Sequence, residues 1–261
     1  MADTTRSRDW RFAINAVAAA FKKDSISVSG DQAVIDRLRS GNSLYDENHQ
    51  VVSKRPMIEA TLYDPSLVTT WAALTGVGVT ATFRLYAQNG GPTGAYDDFT
   101  LATGAIHPVS LTASQKTAAE LQVRVLGSFT AGVGFAVATT GGAAAALVVA
   151  YYPKSLTVGG SPVANLIDIN LSWDYQAKDE EALEPTYYYY DDASQSGTAT
   201  ITNLNEATVA RLEDGAEETL VAVFEDLDGA GADVSVDLGT VKLFAQVTGD
   251  TAQLSFDKLQ V

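Results

Sequence analysis

The chain has 261 residues, of which 46% are hydrophobic, a net charge of −15 and no cysteine. That length holds one large core or two small ones. The missing thiols exclude a disulfide framework and any thiolate metal centre. The charge is uneven: +2 over residues 1–24, −2 over 25–128, +1 over 129–164 and −16 over 165–261. A segment at −16 repels phosphate backbones, which excludes tight nucleic-acid binding there.

In chain order, Met1-Ala2-Asp3-Thr4-Thr5-Arg6 has no apolar signal core behind it, so secretion by the general route is not expected. Trp10–Phe21 is apolar at mixed spacing and fits a docking arm, a short helix or a strand. Ser29–Arg55 is a long polar segment without a core pattern, followed by a strand at Met57–Tyr63. Asp64 is placed to cap a helix over Asp64–Thr75, with Pro65 at the first helical position and Leu67, Val68, Trp71 and Leu74 on one face. Gly76 ends that helix and Val77–Tyr86 reads as a strand. The turn Asn89-Gly90-Gly91 and a final strand at Glu120–Leu126 complete the unit.

Val125–Pro153 carries no charge and is long enough to cross a bilayer, but Gly132, Gly134, Gly141 and Gly142 interrupt it. It is read as two strands, Val133–Ala138 and Ala144–Tyr151, with Thr139-Thr140-Gly141-Gly142 as the turn, and no membrane association is expected. Gly159-Gly160-Ser161-Pro162 reads as a linker. A second polar segment, Asp174–Gly197, contains Tyr187, Tyr188, Tyr189 and Tyr190. A strand (Ala199–Leu204), a weaker capped helix (Asn205–Asp214, ended by Gly215), a strand (Thr219–Phe224), the turn Asp228–Gly231 and a strand (Gln253–Leu259) follow.

These two series are one pattern repeated. Under a shift of 141 positions Asp64 falls on Asn205, Val68 on Val209, Trp71 on Leu212, Val79 on Leu220, Ala81 on Ala222 and Phe83 on Phe224. At a shorter offset Gly104-Ala105-Ile106 matches Gly239-Thr240-Val241, and Thr117-Ala118 matches Thr251-Ala252. The expected organisation is an N-terminal arm (1–24), a first β domain (25–128), a hairpin and linker (129–164) and a second β domain (165–261). The fold class is mainly β with a few short helices: two tandem β-sandwich domains, each flanked by one helix. Long polar excursions at the same place in both copies fit hairpin arms.

No catalytic constellation is visible. His49 and His107 are the only histidines, and there is no Gly-x-Ser-x-Gly turn, phosphate loop or dinucleotide fingerprint. Asp226, Asp228, Asp233 and Asp237 surround Gly229 and Gly231, but the glycines are explained as turn residues and the calcium-like pattern occurs once. Asp97-Asp98 and Asp191-Asp192 are neighbours, which on a strand face opposite ways and do not form an acid–base pair. The chain is therefore expected to be no enzyme and to need no metal or cofactor. The tyrosine run suits an interface, since tyrosine combines contact area with a polar tip. A carbohydrate-binding or adhesin module is the alternative use of the same residues.

The order polar arm, strand, capped helix, strand, glycine turn and terminal strands resembles the tail-tube protein family of long-tailed bacteriophages, over roughly 25–128 and 165–261. The resemblance implies a virion protein assembled in the host cytoplasm, whose rings stack into a tube that DNA traverses without specific binding. It implies homotrimers with pseudo-sixfold symmetry, contacts with other tail proteins, and arms that touch the next ring. Carried onto this chain, the arm residues are Arg37, Tyr45, His49 and Tyr187–Tyr190, and the lumen-facing acids are Asp97, Asp98, Asp233 and Asp237. Other virion parts, such as a distal tail, tail-terminator or capsid decoration protein, share the implied architecture.

Overall fold

A computed structural model describes residues 11–14, 17–22, 25–38, 47–68, 79–86, 96–127, 136–140, 149–179, 188–204, 209–210, 212, 215–226 and 232–259. The strands are β1 (Arg11–Ile14), β2 (Val17–Ala19), β3 (Ser27–Leu38), β4 (Glu47–Leu62), β5 (Val79–Tyr86), β6 (Tyr96–Ser114), β7 (Thr117–Gly127) and β8 (Ala136–Thr140) in the first half. The second half contributes β9 (Tyr151–Val158), β10 (Ser161–Asp179), β11 (Tyr188–Thr202), β12 (Ala216–Asp226), β13 (Val234–Thr248) and β14 (Thr251–Leu259).

The protein is mainly β, as expected, but its second half closes on itself. Strands β9, β10, β11, β14, β13 and β12 pair in that order, and β12 pairs back to β9, giving a six-stranded barrel where a sandwich was expected. Closure depends on β10, a 19-residue strand whose register shifts between Leu166 and Asp168. Such bulges bend a strand and increase its twist. Leu156, Leu166, Ile169, Ile201, Leu220, Phe224, Val236 and Leu243 are fully buried in this half. They alternate with exposed polar residues, as β13 illustrates, so one face of each strand fills the barrel.

Two further expectations change. Gly159-Gly160 is no linker: both glycines have positive φ (56° and 78°) and form the tight turn between β9 and β10. Likewise Thr139 and Thr140, expected in a turn, end β8 and pair with Asp97 and Tyr96 of β6; residues 141–148 lie outside the described residues. Of the two helices, only starts and fragments fall among the described residues. Asp64 Oδ1 accepts from the Ser66 amide at 2.9 Å, as a capping carboxylate does, and Leu67–Val68 are helical. In the second half Val209 is helical, the Leu212 amide donates to the Val209 carbonyl, and Gly215 has a φ of 78°. The remainder of Asp64–Thr75 and Asn205–Asp214 lies outside the described residues. No helix among the described residues is long and apolar enough to cross a membrane.

The halves are joined edge to edge. Ser110–Ser114 of β6 pair with Asp168–Ser172 of β10. A continuous eight-strand path thus runs β3-β4-β7-β6-β10-β11-β14-β13. Its first four strands and its last four follow one scheme. Ser27↔Glu59 through Ala33↔Ser53, seven consecutive pairs, become Asp168↔Thr200 through Asp174↔Ser194 under the same shift of 141, and in both hairpins the register then shifts at the next pair. Ala81↔Leu101, Thr82↔Thr100 and Phe83↔Phe99 correspond to Ala222↔Val236, Val223↔Ser235 and Phe224↔Val234, with the shift of 141 on β5 and the shorter offset on β6. Phe12↔Phe83 corresponds to Pro153↔Phe224, so the common scheme reaches upstream of residues 25 and 165 to β1 and β9.

Candidate functional site

Both polar excursions are long two-stranded ribbons. β3 and β4 pair as far as Leu38↔Glu47, and β10 and β11 as far as Asp179↔Tyr188. Among the described residues, β4 gains its second neighbour, β7, only from Met57, and β11 gains β14 only from Ser194. Glu47–Pro56 and Tyr188–Ala193 therefore pair only with the other strand of their own ribbon. At about 3.3 Å per residue, the nine residues of β3 from Gly30 to Leu38 span about 30 Å. A two-stranded ribbon in water is marginally stable by itself.

Arg37 sits opposite Asn48, and His49 opposite Asp36, near the end of the first ribbon. Tyr188, Tyr189 and Tyr190 sit opposite Asp179, Lys178 and Ala177 near the end of the second. The structure brings each set to the end of its own ribbon, while Tyr45 and Tyr187 lie outside the described residues. Asp97 and Asp98 stand between Leu85 and Thr139 and between Arg84 and Ala138, respectively, so each is flanked by two strands. Asp233 is exposed and accepts from Lys154 Nζ at 2.7 Å, which with the nearby Glu225 raises the lysine's pKa. Asp237 is exposed and turns Oδ1 onto the Gly239 amide at 2.8 Å. Both acids thus have a local partner in this half.

Along the first half of the eight-strand path two charge pairs lie on the surface. Arg124 meets Glu59 at 2.7 Å, directly across β4 and β7, and Lys22 holds Glu120 at 2.8 Å. In the second half the same face is lined by Thr198, Thr200, Gln253, Ser255, Gln246 and Phe244, forming a shallow groove across β11, β14 and β13. It is a hydroxyl and amide surface carrying one exposed aromatic ring. Among the described residues there is no group of three potential metal ligands, and Asp228 lies outside them.

His107 is buried at 3% exposure, opposite Arg124 on β7. Burial, reinforced by the Arg124 charge, lowers its pKa to about 4. It is neutral at pH 7 inside the core, which suits neither a general base poised near neutrality nor a surface switch.

Sequence reading did not single out the exposed apolar residues at the end of β13. β12 pairs with β13 only up to Leu243 among the described residues, and Phe244 and Val247 beyond it are 44% and 40% exposed. Alternation could have flagged Phe244, which sits on the same face as Lys242 and Gln246. No protein-family model matches the chain, and no curated protein matches it in sequence.

Proposed function

We propose that this protein is a self-assembling structural subunit of a bacteriophage tail tube, a fused pair of like modules that forms trimeric, pseudo-sixfold rings. The reading rests on the sequence resemblance. The observation that carries it furthest is the repeated ribbon, in which β3–β4 and β10–β11 share seven consecutive pairs under one shift and are followed by strands in the same order along the eight-strand path. Such a path has unlike ends, so successive copies add head to tail, and a head-to-tail contact either closes into a ring or continues as a filament.

The ribbons support stacking. Each extends beyond its sheet with unsatisfied edges, the state expected of a segment that a neighbouring ring completes. The hydroxyl and amide face of the path, with Glu59–Arg124 and Lys22–Glu120 compensated, offers a phosphate backbone no net positive stripe to bind. DNA passing along it would slide. The second half of the path, β10-β11-β14-β13, is closed into the barrel by β9 and β12, which gives it a rigid support.

Electron microscopy of the purified full-length chain tests the proposal. Stacked tubes with a central channel are expected, and deletion of Arg37–Val51 is expected to leave single rings of folded protein. A monodisperse monomer at all concentrations would overturn the proposal. Full-length tubes formed by the deletion variant would overturn the role of the first ribbon.

A further inference from the structure

We infer that Ala20–Lys22 form a latch, which shuts the first half into a ring like the barrel and releases it at a kink over Lys22–Ser25. The inference stands apart from the tube reading. Strands β1, β5, β6, β7 and β4 pair in that order, as their counterparts β9, β12, β13, β14 and β11 do in the barrel. In the barrel β10 fills the sixth place. In the first half the chain leaves β2, the partner of β1, and meets β4 at Phe21↔Leu62. The Lys22 amide donates to the Thr61 carbonyl at 2.7 Å, and the Tyr63 amide to the Ala20 carbonyl at 3.2 Å. This short contact closes the ring.

The halves differ at the next residues. On β10, three steps from Asn165 to Asp168 face two steps from Thr202 to Thr200, an excess of one. In the first half, six steps from Phe21 to Ser27 face three steps from Leu62 to Glu59, an excess of three. The extra chain folds into a turn, with the Ser25 amide on the Lys22 carbonyl at 3.2 Å. The Ser25 hydroxyl accepts from the Thr61 amide at 3.1 Å and donates to the Lys22 carbonyl at 2.7 Å. A side chain stands where a strand would present its main chain, so the ladder is broken between ring and ribbon.

The kink is anchored on both sides. β1 keeps four pairs with β5, and Ile26 is 7% exposed in the core. Between these anchors the latch is held by its two backbone bonds, by half-buried Phe21, and by Lys22 Nζ on Glu120 at 2.8 Å. The lysine side chain is 47% exposed, so water and salt screen that pair. A short segment held by such groups opens locally, well below the free energy of global unfolding. β10 has no comparable break, since one strand carries the barrel, the junction and the second ribbon. Opening loosens the first ring at the foot of its ribbon, while the second ring and its ribbon stay joined.

Amide exchange in the full-length chain tests the latch. Peptides covering residues 17–26 are expected to exchange at least 100-fold faster than those covering 161–169, while residues 117–125 stay as protected as 251–257. Ser25→Ala is expected to speed exchange at 17–26 about tenfold further and to leave the melting temperature unchanged. The chain has no cysteine, so Phe21→Cys with Leu62→Cys can form only one intramolecular disulfide, between opposed positions within bridging range. Oxidation of that variant is expected to slow exchange at 17–26 at least tenfold relative to its own reduced form, with 161–169 unaffected. Equal exchange at 17–26 and 161–169, or exchange of 17–26 in step with 117–125, would overturn the latch. So would equal rates in the oxidised and reduced forms. Should the double variant not fold, Ser25→Ala decides alone, and wild-type exchange at 17–26 in that variant sinks the assignment.

Discussion

The two halves are built to one register and finished differently. In the second, β9 pairs with both β10 and β12 and closes a barrel. In the first, the counterpart strand β1 pairs with β5 and β2, and the chain reaches β4 through a single bridge, Phe21↔Leu62, with the Lys22 amide on the Thr61 carbonyl at 2.7 Å. The first half is near neutral and the second carries −16. The shared part is the four-strand sheet with its ribbon, and the divergent part is what surrounds it.

The largest contrast is between the β6 strand end beneath β10 and the more exposed end of β13. Leu111→Ala, fully buried beneath β10, is expected to cost about 3 kcal/mol in urea unfolding. Val247→Ala, at a position 40% exposed, should cost under about 0.5 kcal/mol. Equal costs would show that the two positions are not differently buried.

Acid sharpens the comparison next. Where the second half has exposed Lys242, the first has buried His107. The folded state binds its proton less well than the unfolded state, so its stability contribution is complete above pH 6.5 and is lost as pH falls towards about 4. The loss over that interval is on the order of 3 kcal/mol. It should be read as a falling urea midpoint and as earlier amide exchange in β6 and β7 than in the barrel. His107→Leu should flatten the pH dependence.

Gly197 gives a smaller effect confined to the second half. A methyl group there would lie 2.6 Å from the Phe256 ring and 2.7 Å from Leu171. Gly197→Ala should therefore destabilise by about 2 kcal/mol. The corresponding pair in the first half is Gly30 on β3 opposite Pro56 on β4. Smallest is Glu59→Gln, which loosens a half-exposed ion pair with Arg124 and should cost under about 1 kcal/mol by double-mutant cycle.

Much of this was legible in the residues. Ala81 and Ala222 recur under the shift of 141, and Ile106 and Val241 with the glycines at 104 and 239 recur at the shorter offset, because packing and turn geometry constrain such positions locally. The polar segments were readable as excursions, and pairing shows them to be ribbons. Barrel closure was not readable. It depends on a register shift between Leu166 and Asp168 and on β9 meeting a strand some 65 residues further on, and long-range pairing leaves no local pattern. Gly159-Gly160 looked like a linker because a tight hairpin and a flexible joint use the same residues. Among the site residues, the pairing of Asp233 with Lys154 was not readable, because the two are 79 positions apart.

β10 serves three neighbours in turn along its 19 residues: β9 at Ser161–Asn165, β6 at Asp168–Ser172, and β11 alone out to Asp179. A strand translates only in whole-residue steps, and each step inverts which side every residue presents. Barrel, junction and protruding ribbon are consequently locked to one another like teeth on a single rod: a pull at the tip is felt at the seam between the halves, without a hinge to absorb it.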